Sequence, residues 1–176
     1  GRYNLSILLA FLFVFFNQVS GINAVIYYAP RIFEDAGFGT GAALLSSVGI
    51  GVVNLIFTML GLAWIDRFGR RFLMYIGSIG YIVSLALVSW AFFSGQAQGS
   101  LLVPILLFVF IASHAIGQGA VIWVFLSEIF PNHVRFWGNS LGSTTHWIFA
   151  ALIAGNFPLL AGIFGQGPIF AVFAVM

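Results

Sequence analysis

Long apolar runs alternate with short polar breaks along this chain, and five of the runs, 5–29, 41–65, 72–93, 101–126 and 137–160, are long enough to cross a bilayer. Roughly 20 helical residues at ~1.5 Å each span a hydrocarbon core of ~30 Å, so each run predicts one transmembrane helix. A sixth run opens at Pro168, but the nine residues 168–176 reach only roughly 14 Å as a helix. That is a partial span, and the chain reads as cut inside it. The predicted fold is all-α and transmembrane, a single unit over 1–176 with five complete spans and a truncated sixth.

The first run is the least apolar. Within 15–30, FFNQVSGINAVIYYAP, the residues Asn17, Gln18, Ser20, Asn23, Tyr27 and Tyr28 interrupt it. An amide without a partner in hydrocarbon costs several kcal/mol, so these groups face a bundle interior, a water-filled cavity or a ligand. They are uncharged, and each carboxamide both donates and accepts, which suits a hydroxyl-rich neutral ligand. On a regular helix Asn17, Ser20, Asn23 and Tyr27 share a strip about 120° wide and Gln18 points away. A break near Ser20 and Gly21 would swing Gln18 back toward the same side. The plainer alternative is that the amides tie helices together.

Other runs carry weaker stripes. Asn139, Ser143, His146, Trp147 and Ala150 follow one face of the fifth run, and His114, Gln118 and Trp123 mark the fourth. Gly117 and Gly119 flank Gln118 and lower the cost of a local break there. A tryptophan at a polar cavity offers a flat apolar face and one N–H to a sugar. Trp64, Trp90 and Trp137 lie near run ends and fit an interfacial belt instead. Asn54 is the lone amide of the second run, as compatible with a packing tie as with a ligand contact. Most other glycines, Gly49, Gly51, Gly61, Gly77 and Gly80 among them, read as close-packing positions.

Composition agrees with a membrane protein: of 176 residues 61% are hydrophobic and only 6% charged, with mean hydropathy +1.10. The six basic residues are all arginine against four acids. So small an excess argues against nucleic acid, and the arginines read as topology signals. Arg2, Arg67, Arg70, Arg71 and Arg135 fall on one side of the membrane and only Arg31 on the other, which makes the arginine-rich side, and the amino end, cytoplasmic. Glu34, Asp35, Asp66 and Glu128 all lie at run ends or in loops, so no span holds a proton-relay carboxylate. Cysteine is absent, no secretory signal is evident, and nothing assembles into a catalytic or metal-binding constellation; neither an enzyme nor a cofactor is expected.

The motifs GlnValSerGlyIleAsn with TyrTyr (18–28), AspArgPheGlyArgArg (66–71) and IleTrpValPheLeuSerGluIlePhePro (122–131) through Arg135 resemble the carboxyl-terminal half of the sugar porter family of the major facilitator superfamily, from its seventh helix into its twelfth. The resemblance implies that Gln18 and Asn23, with Asn17 beside them, bind sugar hydroxyls, that Asn54 adds an eighth-helix contact, and that Trp123 and Trp147 line the site with Gln118 and His146. It further implies that Tyr27 and Tyr28 form the outer gate, and that Asp66, Arg70, Arg71, Glu128 and Arg135 form the inner salt-bridge network. This chain departs from the family in several places. It has Asn17–Gln18 where many members have two glutamines, Ala120 and Ile122 where prolines are common, Ala115 near the position of an acid in some glucose carriers, and His146 where others have asparagine or glutamine.

The expectation is thus a hexose or pentose transporter, symporter or uniporter, of the cell membrane, working by alternating access. Its partners would be the monosaccharide, the lipid bilayer and the amino-terminal half of the same transporter. A polyol or inositol carrier of the same family is the near alternative. Two remoter ones are a small oligomeric channel and a haem-binding membrane protein using His114 and His146.

Overall fold

Inside hydrocarbon a backbone amide finds no water, so each apolar run must close its hydrogen bonds within itself. The computed structural model describes residues 3–176, and among them the regular structure is all helical; Arg2, counted above as a topology signal, lies outside the described residues. The elements are α1 (Asn4–Val19), α2 (Ile22–Asp35), α3 (Thr40–Phe68), α4 (Arg70–Phe93), α5 (Leu102–His114), a π-helical turn (Ala115–Gly119), α6 (Ala120–Glu128), α7 (Arg135–Phe164) and α8 (Gln166–Val175). The five expected spans are all present. Most run a few residues past the apolar runs, because a helix continues into the interfacial zone until a glycine or a turn stops it.

The first span differs most from a plain helix. It extends to Asp35 rather than Ala29 and is broken where Gly21 takes a left-handed conformation, φ 81°. Glycine adopts this region at no steric cost, whereas other residues pay for the contact of Cβ with the backbone. A Cβ at Gly21 would also run into the ring of Phe173 in α8. The fourth span is interrupted as well, but by widening rather than breaking: the π turn accommodates one extra residue between α5 and α6.

Two glycines let α4 and the π turn meet backbone to backbone. A Cβ on Gly77 of α4 would lie 2.7 Å from the Cα of Gly117 in the π turn and 2.7 Å from the carbonyl oxygen of Ser113. Bare glycine lets these backbones meet, as close-packed membrane helices require. Gly49 and Gly61 abut Phe108 and Ala120 in the same manner, whereas Gly51, expected to pack, faces open space. The main apolar core gathers Phe33, Leu85, Phe110, Phe157 and Phe170 from α2, α4, α5, α7 and α8.

Burial is uneven. The span through α5 and α6 is central, with 61% of its apolar stretch buried, against 17% in each of α3 and α7. At the end away from the arginine clusters the turns are stitched to α2: Gly99 N–H donates to the Ala36 carbonyl at 2.8 Å and Gln166 Nε2 to Asp35 Oδ2 at 2.7 Å.

Gly21→Ala in the intact protein is expected to cost about 1–3 kcal/mol from the left-handed backbone alone, with the Phe173 collision added to it. Gly41→Ala, in the exposed first turn of α3 with nothing within 4 Å, serves as the control. Thermal unfolding in detergent should show a clear drop for the first and almost none for the second; equal midpoints would mean that the Gly21 break is not needed.

Candidate functional site

The break between α1 and α2 brings together residues that a continuous helix would separate. Gln18 Nε2 donates to Asn17 Oδ1 at 2.7 Å and to His146 Nδ1 at 2.8 Å, while Gln18 Oε1 accepts from Asn23 Nδ2 at 2.6 Å. Gln18 therefore joins the strip of Asn17 and Asn23, as a break at Gly21 predicts. Ser20, also on that strip, instead donates its hydroxyl to the Asn17 carbonyl at 2.6 Å and secures the end of α1.

Behind these residues lies a deeper layer. Asn17 Nδ2 approaches His114 Nε2 at 3.2 Å and Gln118 Oε1 at 3.3 Å, and Gln118 Nε2 donates to the Tyr81 hydroxyl at 3.3 Å. The π turn is what aims Gln118 at Asn17, since it widens the helix one turn beyond His114. Asn17 is 3% exposed and Gln18 1%, and His114, Gln118 and Tyr81 are buried. Such groups must be saturated in hydrocarbon, and they saturate one another.

One side of the cluster is open. Asn23 and His146 are half-buried, and the His146 ring sits between two indoles, its centroid 5.2 Å from that of Trp123 and 5.1 Å from that of Trp147. Trp123 is 41% exposed and Trp147 63%. Together they border the amides with aromatic faces, the pairing of flat apolar surface and carboxamide that a sugar ring needs. Asn54 is half-buried, and among the described residues its side chain has no hydrogen bond. A groove of about 560 Å³ between α7 and α8 lies elsewhere. Its walls are apolar apart from Asn156, whose Nδ2 is tied to the Leu152 carbonyl, so it offers a polyol almost nothing.

The tyrosine pair is split. Tyr28 stacks on Phe157 with centroids 5.3 Å apart, and Tyr27 is 57% exposed. At the arginine end, Arg70 grips Glu128 with two bonds, Nη2 to Oε1 at 2.7 Å and Nε to Oε2 at 3.3 Å, and reaches Asp66 at 3.4 Å. Both Glu128 oxygens are thereby occupied, and among the described residues Arg71 and Arg135 form no ion pair. Among the described residues no group of three or more potential ligands could hold a metal.

With this geometry in view, likeness to known proteins becomes specific. The family model described as "Sugar (and other) transporter" matches residues 1–176. The chain belongs to the sugar porter family of the major facilitator superfamily. It is 39% identical over 163 residues to a D-xylose transporter of Levilactobacillus brevis, covering 92% of this chain and 36% of that protein. It is 36% identical over 167 residues to a glucose facilitated diffusion protein of Zymomonas mobilis, covering 92% of this chain and 35% of that one. The solved structure of a proton:xylose symporter bound to 6-bromo-6-deoxy-D-glucose superposes with a TM-score of 0.86 at 32% identity, over 99% of this chain and 38% of that one. The chain thus spans little more than a third of the length of these relatives, and it is a multi-pass membrane protein.

His114 was visible in the sequence as the neighbour of Gln118, but Tyr81 was not singled out. A lone tyrosine in an apolar run looks like a packing residue until the partner that claims its hydroxyl is known.

Arg70→Ala, Glu128→Ala and the double variant are each expected to raise hydrogen exchange in 127–135 to the same extent, because the one bidentate contact to Glu128 is lost in all three. Arg71→Ala should leave that exchange at its original level. Additive effects of the first two, or an equal effect of Arg71→Ala, would mean that the arginines act as separate anchors.

Proposed function

We infer that the chain is the carboxyl-terminal half of a transporter that carries a hexose or pentose across the cell membrane by alternating access. The observation that carries this reading is the linked set Asn23, Gln18 and His146, exposed on one side and bordered by Trp123 and Trp147. It offers neutral donors and acceptors beside an aromatic face, and among the described residues no metal-binding cluster competes with them. The xylose and glucose carriers among its relatives support the same class of cargo. In this reading the sugar is met by Asn23, His146 and Trp123, with Gln18 linking the first two; Asn17 and Gln118 complete the site from behind, and Asn54 and Trp147 flank it.

The site is one wall of a cavity, and α3 and α7, with few of their apolar residues covered, are the faces on which the amino-terminal half of the transporter docks. Rocking of the halves exposes the sugar to each side in turn. Tyr27, free of the Phe157 stack that holds Tyr28, is the gate residue able to swing. The Arg70–Glu128–Asp66 cluster closes the opposite end, and Arg71 and Arg135 remain available to the other half. By the arginine bias that end is cytoplasmic and the amino end of the chain with it. A polyol or inositol would present the same ring of hydroxyls, and competition between xylose, glucose and inositol separates these cargoes.

In the full-length transporter, Gln18→Ala is expected to raise the dissociation constant for D-xylose or D-glucose about tenfold or more, since a lost buried hydrogen bond is worth about 1–2 kcal/mol. The effect reaches past any direct contact, because Asn23 and His146 both lose their partner. Unchanged binding by calorimetry would remove this cluster from consideration as the site. Trp123→Ala should weaken binding as well, whereas Trp90→Ala, at the far end of α4 and exposed, should not; equal effects would mean that Trp123 acts no differently from a belt residue.

A further inference from the structure

Every link in the polar cluster has a direction. A carboxamide has two N–H donors on one side and a carbonyl acceptor on the other. Both hydrogens of Gln18 Nε2 are taken, by Asn17 Oδ1 and His146 Nδ1, and its oxygen receives Asn23 Nδ2. Asn17 can offer its oxygen to Gln18 because its own NH2 is turned the other way, to His114 Nε2 and Gln118 Oε1. Gln118 in turn sends its NH2 to Tyr81. Turning over any one amide would set NH2 against NH2 or carbonyl against carbonyl, so the links keep their direction together.

The direction ends on a residue that faces the open side. A neutral imidazole carries one proton, and if Nδ1 accepts from Gln18 the proton is on Nε2. His146 then has its Nε2–H left as a donor for a ligand beside Trp123 and Trp147.

We propose that the buried relay of Tyr81, Gln118 and Asn17, with His114 beside it, acts through Gln18 to hold His146 as its Nε2–H tautomer, which makes His146 an obligate hydrogen-bond donor to a sugar oxygen and the specificity-determining residue of the site. This rests on the reading of the cluster as a sugar site. Asn17, His114, Gln118 and Tyr81 are then positioning residues, too deeply buried to meet the sugar but setting what the sugar meets. Asn23 is set in the same way: its NH2 is drawn to Gln18, so its Oδ1 is left as an acceptor.

The test uses the full-length transporter in nanodiscs with ring-labelled histidine, read by nitrogen NMR above about pH 8, where an ordinary imidazole is neutral. The three histidines of this segment are His114, His133 and His146, and the His146 signals are those lost in His146→Gln. The expected result is a proton on Nε2 of His146 in the unaltered protein, and a shift toward the other tautomer in Asn17→Leu or Gln118→Leu. A proton on Nδ1 in the unaltered protein would overturn the proposal without recourse to any variant, and an unmoved tautomer in both leucine variants would overturn the relay. Binding of D-xylose supplies the second readout. His146→Leu should weaken it about tenfold, while His146→Gln, which keeps a donor, should stay within a few-fold of the unaltered protein. If leucine binds as well as histidine, His146 does not determine specificity. If Gln18→Ala also leaves binding intact, it is the sugar site itself that fails.

Discussion

The constraint on which this structure depends is that carboxamides placed in hydrocarbon must find partners within the protein. Asn17 and Asn23 share one strip of a regular helix, and Gln18, next in sequence to Asn17, points away from it. The left-handed turn at Gly21 resolves the conflict by ending α1 after Val19 and restarting the helix at Ile22. That single backbone choice lets Gln18 bond Asn17, Asn23 and His146 at once. The π turn does the complementary work from the fourth span, turning Gln118 to receive Asn17. Both irregularities lie where polar side chains meet, and the regular helices around them are apolar.

A consequence is a gradient from rigid to exposed. The span through α5 and α6 is the best buried, held against α4 by Gly77 and Gly117, and it anchors the deep polar layer. Outward from it come Gln18, then Asn23 and His146, then the exposed indoles of Trp123 and Trp147. Saturated buried networks rigidify what they support, so the groups left for a ligand are presented from a fixed base. The opposite arrangement holds at the arginine end. There Arg70, Glu128 and Asp66 join α4 to α3 and α6 through partly exposed side chains, where water screens the charges and separation is cheap. The firm contact lies at the buried polar cluster and the breakable one at the helix ends.

Much of this was legible in the sequence because hydropathy and amide placement are strong signals. The spans followed from apolar length, and Gln18 being out of phase with Asn17 and Asn23 marked Gly21 as the place where a break would bring it back. What stayed hidden depended on contacts between distant segments. Tyr81 belongs to the cluster only because the π turn brings Gln118 to it, and the glycines around Gln118 announce a weak point without saying whether the helix will break or widen. The charge motifs named the right neighbourhood at Arg70 and Glu128. They could not reveal that one guanidinium would occupy both carboxylate oxygens and leave Arg71 and Arg135 without an ion pair among the described residues. Gly51, read as a packing residue, faces open space because nothing in a single helix tells which side a neighbour will take.

The central claim is that cargo meets this chain at the Gln18 cluster and not elsewhere on its surface. The most direct measurement is photo-crosslinking of the intact transporter with a diazirine-bearing xylose, the labelled residues being located by mass spectrometry with and without excess D-xylose. The account predicts competed labels confined to residues around Asn23, Trp123 and His146. Competed labels confined to the apolar groove between α7 and α8, or to the arginine end around Arg70 and Arg71, would contradict it.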